Sequence, residues 1–490
     1  MKTLNAQMEP APARPVKVLQ FGEGNFLRAF VDYMLDIANE KGVFDGSVVL
    51  VKPIPFGNLD SFHKQDCRYT VMLRGNVNGE AVTQTRRITS VADAVDSYAE
   101  YDKYAAYAKL DTLRYIVSNT TEAGIVLDES DRFELTPPNT YPGKLTKFLY
   151  ERAVAFDYAP DKGLVMLPVE LIDDNGIELK RCVTALARSW QLGDRFMEWL
   201  ESACVFTSTL VDRIVTGYPK DEIESIWQSL GYEDRLLVTG EPFALWVIES
   251  SRDLSGELRL RDCGLPVIFT DNQKPYKQRK VRILNGAHTS FVPASFLCGH
   301  DTVLESMRDP LVKRYIERTL YDEVIPTLSL PKADLMSFAQ AVIGRFENPF
   351  IKHSLLAICL NCVSKWRARC MPSLLGYVVA KKELPPHLTF SLAAIMALYH
   401  GGVYQDGALL CERDGQPYTL RDDESVLRFF AENNDTDAKT LAERFIGNAA
   451  FFGDELAKTP GLVDAVSADY ADILADGMRA TLEKRFGANQ

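Results

Sequence analysis

Apolar and polar positions run along the chain in two rhythms. Val16–Phe21 (VKVLQF) is a short strand-like run that Gly22-Glu23-Gly24 interrupts. Asn25 follows as a candidate helix cap. Phe26, Ala29, Phe30, Tyr33, Met34, Ile37 and Ala38 then recur every three or four residues, the stripe of an amphipathic helix. Lys41-Gly42 supplies the cation and the glycine that close such a helix. Residues 47–51 (SVVLV) are continuously apolar, as in a strand buried on both faces. Strand, helix and strand within about 35 residues make a βαβ unit. Further strands are predicted at 70–73, 115–118, 164–167 and 267–269, with helical patterns between most of them. This alternation predicts an α/β domain with a mainly parallel sheet.

From about Lys280 onward, strand signals thin out and helical periodicity takes over. It is clearest over 311–324, 332–344, 351–369, 388–399 and 464–486. The change of texture falls between Thr270 and Lys280. It predicts a Rossmann-like N-terminal domain over 1–275 and a largely α-helical domain over 276–490. No internal repeat or low-complexity tract is found.

Composition narrows the partners. The 490 residues carry 55 Lys+Arg against 67 Asp+Glu, a formal charge of −12. Such a chain is a poor general nucleic-acid binder and is repelled by anionic membranes. Nine cysteines, odd in number and irregular in spacing, fit a reducing compartment and no disulfide framework. Without an apolar leader or a run of about 18 apolar residues, a cytoplasmic protein is expected. Oligomeric state is not readable.

Three segments carry candidate chemistry. In FGEGNFLRAF (Phe21 to Phe30), a strand enters a helix through Gly-x-Gly. Free N–H groups and the positive helix end there suit a pyrophosphate, and glycine lets the backbone come close. Leu27 occupies the third glycine position of the dinucleotide fingerprint, so a tight turn without ligand remains open. No acid ends the second strand, where one would hold a ribose 2′-hydroxyl. Lys52 stands there instead and could accommodate a 2′-phosphate, which leaves NAD against NADP open on the residues alone. Ser118-Asn119-Thr120-Thr121-Glu122 follows a strand and should lie at its carboxyl end, placing Asn119 near a cofactor or in an Asx turn.

In KPYKQRKVRILNGAHTS (Lys274 to Ser290), Lys280, Asn285 and His288 form Lys-x4-Asn-x2-His. On a helix Asn285 and His288 share a face, and Lys280 lies about 12 Å of axial rise from His288 if the helix is straight. A lysine among other cations has a lowered pKa and can exchange a proton with an alcohol, while Asn and His hold the oxygen. A basic surface stretch with an Asn-Gly turn fits the same spacing. Lys274, Lys277, Arg279, Lys280 and Arg282 fall in a window with no acid between Asp271 and Asp301, a local field that suits an anionic substrate. The six histidines include no His-x3-His pair, and Cys359-x2-Cys362 reads as packed core thiols. No metal is expected.

GEGNFLRAF resembles the Gly-x-Gly-x-Phe-x-Arg-Ala signature of the polyol-specific long-chain dehydrogenases, the mannitol dehydrogenase family. KVRILNGAH resembles the family's Lys-x4-Asn-x2-His motif, and STLVDRIV at 208–215 and RFENP at 345–349 match two further blocks. The resemblance implies NAD as cofactor, with Phe21, Gly22, Glu23, Gly24, Asn25, Phe26, Leu27 and Arg28 forming the dinucleotide loop. It implies Lys280 as general acid/base, Asn285 and His288 as holders of the reacting oxygen, and Asp212 and Arg345 at the substrate. VKPIPFGNLDSFH, PVELIDDNG and RFENPFIKH are most similar to members that act on hexonates, which implies interconversion of D-altronate and D-tagaturonate. Where mannitol dehydrogenases carry Asp-Asn-Leu, this chain reads Val169-Glu170-Leu171. Glu170 therefore stands as a substrate-site candidate whose role is open, since an ionised carboxylate cannot donate a hydrogen bond. Lys352 and His353 follow RFENP and could meet a sugar-acid carboxylate or form a solvated face. Fructuronate/mannonate and mannitol/fructose are the alternative substrate pairs, and a non-catalytic dinucleotide sensor is the alternative of another class.

Overall fold

A computed structural model describes residues 1–487 apart from Asn78 and Glu122. The chain divides into two compact units, Met1–Gly75 with Val82–Gln273, and Lys274–Gln490 with Asn76–Ala81.

The first unit is built on a six-stranded sheet, parallel throughout. Its order is Val91–Asp96, Ser47–Lys52, Val16–Phe21, Tyr115–Ser118, Val165–Pro168 and Val205–Phe206. The apolar runs of these strands follow from burial on both faces. Val18, Val48, Leu50 and Val117 point to one core, with Met34, Leu35, Ala38, Trp246 and Ile248. Leu19, Val49, Val51, Ile116 and Met166 point to the other, with Leu145, Phe148, Leu179, Val183 and Trp199. Each such side chain gains about 1.5–3 kcal/mol from full burial. The chain moves outward from Val16–Phe21 first to one side and then to the other, so a topological switch point lies between Val16–Phe21 and Tyr115–Ser118.

Two smaller sheets complete the unit. Val215–Gly217, Val238–Gly240, Tyr69–Val77 and Glu80–Ile88 form one; Val267–Thr270, Leu245–Glu249 and Ser208–Asp212 form the other. Both contain antiparallel pairs.

The helix expected after the Gly-x-Gly turn is present but interrupted. Asn25–Leu27 and Tyr33–Glu40 are α-helical, and Arg28–Asp32 between them is a π-helical turn. Gly24, not Asn25, is the N-cap. Gly42, at φ +67°, follows the closing Lys41.

The second unit is mainly helical. Gly286–Leu297 and Pro386–Tyr399 are apolar nearly all round because other helices enclose them. Two expected helices are broken. Asn361, at φ +53°, separates Leu355–Ile358 from Cys362–Arg369, and Gly477, at φ +85°, separates Leu462–Asp476 from Met478–Phe486. The stretch 311–324 is α-helical over Pro310–Arg318 and π-helical over Thr319–Val324. A three-stranded meander, Val403–Gln405, Ala408–Arg413 and Gln416–Leu420, sits among the helices. Cys359 and Cys362 are buried, free thiols. No helix among the described residues is long and apolar enough to cross a membrane.

Candidate functional site

The Gly-x-Gly turn stands at the switch point. Gly22 N–H donates to Val51 O at 3.0 Å, and Asn119 N–H donates to Phe21 O at 3.1 Å. The turn is thereby stitched to both neighbouring strands. Gly22 has φ +116°, and a Cβ there would lie 3.0 Å from Asn119 O, so both its conformation and its surroundings call for glycine. Gly24 has open space around it, room for a ligand at the start of the helix. Leu27 packs beneath Gly22, 3.4 Å from the position of that Cβ. The absent third glycine is thus replaced by an apolar floor.

Phe21 lies buried against Tyr104 and Tyr141, and Phe26 stacks on Phe30 at 5.0 Å. Arg28 is a strut. Its guanidinium donates to Glu23 O at 3.1 Å, to Asn25 Oδ1 at 2.7 Å and to Leu236 O, and it lies over the rings of Phe62 and Tyr69. The π turn brings it back toward the loop that precedes it. Burial pushes the Glu23 carboxyl up, against the pull of Lys52 and Arg28.

Lys52 does not stand ready for a phosphate. It is 1% exposed, with its ammonium 3.0 Å from Asp96, 2.7 Å from Ile54 O and 3.2 Å from Phe56 O. Three acceptors commit its three N–H donors. Its ion-pair partner Asp96 ends the adjacent strand, directly opposite Lys52. Burial opposes its charge, but the Lys52 ammonium and the N–H groups of Tyr98 and Ala99 outweigh that and hold the carboxyl below its usual range.

Glu170 is 2% exposed and accepts from Ser118 Oγ at 3.1 Å and from Thr120 N and Oγ1, both at 3.0 Å. Burial raises its pKa in spite of these donors. Its carboxylate clamps the segment that contains Asn119. Glu122, at the end of that segment, lies outside the described residues. Asn175 donates to Pro168 O, Glu170 O and Thr209 O and accepts from Thr209 N, so its amide is committed to backbone. Asp212 is buried at the end of Ser208–Asp212, opposite Leu245.

In the second unit, Lys280–Asn285 is a π-helical turn that runs directly into Gly286–Leu297. This corrects the straight helix expected from the spacing. Five α-helical residues rotate through about 500°, leaving Lys280 and Asn285 about 140° apart. A π turn bonds i to i+5, so residues five apart lie nearly one turn apart on the same side. His288, three residues on in α-helix, continues that face. One extra residue per turn therefore places the three members of the motif on the same side of the helix.

His288 is the most unusual polar group here. Its Nε2 is buried with no hydrogen-bond partner. The ring packs on Phe346 at 4.2 Å and faces His353 at 5.0 Å. Burial, with the nearby charges of His353, Arg345 and Arg369, holds its pKa well below the usual histidine value. It is therefore neutral at physiological pH, with one nitrogen unmatched. His353 is half-buried and also lowered by burial, and Arg345 is buried in the last turn of Lys332–Phe346. Lys352 is exposed, on irregular chain and not on a helix.

The cations of the acid-free window do not all share one direction. Arg282 donates to Ser373 Oγ at 2.8 Å and to Thr327 Oγ1 within the helical unit, where burial lowers its pKa to about 10. Arg279 is buried over the rings of Tyr276 and Phe338. Spacing gave no sign of Arg369. It lies beside the motif because Gly286 allows it: a Cβ on Gly286 would stand 3.2 Å from Arg369 O. Among the described residues no group of three His, Cys, Asp or Glu side chains could hold a metal ion.

A parallel sheet with Gly-x-Gly at its switch point defines a Rossmann-type α/β unit, here followed by a helical unit. The mannitol dehydrogenase Rossmann domain matches residues 16–262, and the mannitol dehydrogenase C-terminal domain matches residues 272–474. The chain belongs to the mannitol dehydrogenase family. It is 45% identical over 489 residues to an altronate oxidoreductase of Yersinia pestis, covering 98% of this chain and 99% of that one. It is 46% identical over 490 residues to an altronate oxidoreductase of Klebsiella pneumoniae, covering 99% of each. Among solved structures, D-sorbitol dehydrogenase in substrate-free form shares the fold with a TM-score of 0.81 at 20% identity, over 98% of this chain and 100% of that one. Pseudomonas fluorescens mannitol 2-dehydrogenase, in a ternary complex with NAD and D-mannitol, aligns with a TM-score of 0.67 at 23% identity, over 99% of each chain.

Proposed function

We propose that this protein is an NAD-dependent oxidoreductase that interconverts D-altronate and D-tagaturonate. The observation that carries the reading is the Lys280-Asn285-His288 face, with its unmatched, neutral imidazole, in a chain that resembles altronate oxidoreductases from end to end. An alcohol or ketone oxygen placed there meets both a proton-exchanging amine and hydrogen-bonding groups.

In this reading Lys280 takes the hydroxyl proton in oxidation and returns it in reduction. The Asn285 amide and His288 Nε2 hold the reacting oxygen. His288 acts as a neutral ring, so it orients the oxygen without competing for the proton. A nicotinamide cofactor held by the first unit would supply the hydride-accepting chemistry in oxidation and the hydride-donating chemistry in reduction. The backbone from Gly22 to Phe26 holds the dinucleotide, with the open space at Gly24 and the helix start suited to its pyrophosphate. Phe21, Leu27 and Arg28 shape that loop from beneath, and Glu23 and Asn119 flank it. Glu170 serves through Ser118 and Thr120, while Asp212, Arg345 and His353 contact the sugar acid. The commitment of Lys52 to Asp96 favours NAD over NADP.

The test is absorbance at the nicotinamide band, with tagaturonate and fructuronate each paired with NADH and NADPH. Tagaturonate with NADH is expected to give the highest kcat/KM. Lys280→Ala should lower kcat by about 10²–10⁴-fold while the circular dichroism spectrum stays that of the parent. Parent-like reduction of tagaturonate by that variant would overturn the reading.

A further inference from the structure

We propose that Arg369 selects a sugar acid over an uncharged sugar by binding the substrate carboxylate. The inference rests on the sugar-acid reading above and adds a residue that the sequence motifs do not mark.

Arg369 closes the helix Cys362–Arg369, and the end of that helix is pressed onto the catalytic motif. Its carbonyl oxygen faces Gly286, and the next residue, Cys370, directs its thiol to Gly286 O at 3.4 Å. Gly286 lies between Asn285 and His288, so the approach is fixed by backbone. The guanidinium donates to Thr289 Oγ1 at 3.2 Å, and Thr289 Oγ1 donates to Asn285 O at 3.0 Å. The charge therefore lies one hydroxyl away from the Asn285 backbone, and near enough to His288 to disfavour its protonation.

No carboxylate among the described residues neutralises this cation. Among the described residues no carboxylate forms an ion pair with Arg369, although it is half-buried. Elsewhere in the unit Arg318, Arg413, Arg428, Arg479 and Arg485 each meet an acid. One turn before Arg369 stands Lys365, which donates to Ile358 O at 3.1 Å and also forms no ion pair among the described residues. Burial depresses the pKa of Lys365, and Arg369 depresses it further. Like charges at i and i+4 destabilise a helix, and a half-buried cation without a counter-charge adds desolvation cost. A carboxylate arriving with the substrate relieves both. The planar fork of arginine matches a carboxylate with two parallel hydrogen bonds and leaves further donors for Thr289. An uncharged polyol end offers no such partner.

The test is calorimetric binding of D-altronate and of altritol, its uncharged counterpart, to the NAD-loaded protein, with the parent, Arg369→Gln and Arg369→Lys. Arg369→Gln is expected to weaken altronate by about 10–100-fold and to leave altritol within about threefold of the parent, too small a change for a lost charged hydrogen bond. Arg369→Lys should restore part of the loss. Equal weakening of both ligands, or no weakening of altronate, overturns the assignment. Parent turnover of altronate is read separately. Arg369-dependent binding without turnover would sink the oxidoreductase reading and leave the carboxylate site standing. Turnover with altronate binding unmoved in Arg369→Gln would do the reverse.

Discussion

The two sequence motifs each contain a π-helical turn, Arg28–Asp32 in the first unit and Lys280–Asn285 in the second. In the first, the arginine turns back on its own loop and holds Glu23 O and Asn25 Oδ1, while Asp32 is sealed beneath with Gln20 and Tyr69. Side chains are committed to protein there, and the loop offers a ligand its backbone. In the second, Arg282 is anchored on Ser373 and Thr327, the π turn aligns Lys280 with Asn285, and His288 Nε2 is left unmatched. In the proposed reading the backbone there is scaffold and the side chains carry the chemistry. In that reading the same insertion of one residue into a turn makes a cradle in one unit and a reactive face in the other.

Removing the extra residue from the second turn is the most damaging way to break this contrast. A chain lacking Val281 would close the turn to α-helix and carry Lys280 away from the Asn285 and His288 face. Loss of about 10³-fold or more in kcat/KM is expected, since both proton transfer and orientation fail together. Circular dichroism and NADH binding, which depend on the first unit in this reading, should stay near those of the parent. Retention of activity within tenfold would show that alignment by the π turn is not needed.

Substitution of the first strut tests the other half. Arg28→Met removes the donors to Glu23 O, Asn25 Oδ1 and Leu236 O from a buried setting. Each acceptor left unmatched costs about 1–3 kcal/mol, softened where water can reach it. The expected result is a lower unfolding midpoint and about 10-fold weaker NADH, measured by quenching of protein fluorescence. If kcat for bound substrate collapses while NADH affinity is unchanged, Arg28 acts on the chemistry and the contrast between the two turns is wrong.

The sequence made some of this architecture plain and hid the rest, for physical reasons. Strands such as Ser47–Lys52 and Tyr115–Ser118 were readable because burial on both faces demands unbroken apolar runs. Glu80–Ile88 is mostly exposed and polar, so its membership in a sheet left no such trace. The π turns were hidden because one added residue only blurs a 3.6-residue period over a single turn. The Gly-x-Gly loop and the spacing from Lys280 to His288 marked two segments that each lead into a π-helical turn. They could not show that Lys52 is bound to Asp96, that Asn175 is committed to backbone or that Arg282 turns away into the helical unit. Those outcomes depend on partners distant in sequence. Arg369 had no local signal at all, since a glycine 83 positions earlier admits it.

The finest distinction between the two turns lies in their buried acid and base. Asp32 is fully buried, and burial raises its pKa to about 7 against the hydrogen bonds from Tyr69 and Gln20. The folded protein therefore keeps a proton on Asp32 over a range of pH where the unfolded chain, near 3.8, has lost it. Where the folded state binds the extra proton, stability falls as pH rises. The contribution is fully present below about pH 4, declines through about pH 7 and is lost above it. The difference in pKa corresponds to about 4 kcal/mol at most. Asp32→Asn has no proton to lose, so its urea midpoint should hold steady between pH 5 and pH 8 while that of the parent falls. The variant should therefore gain on the parent as the medium becomes alkaline. His288 has the opposite sign: its lowered pKa makes its contribution full above about pH 6.5 and lost as pH falls. Parallel pH profiles for the parent and Asp32→Asn would mean that Asp32 is ionised in the folded protein, and that burial does not raise its pKa as its surroundings imply.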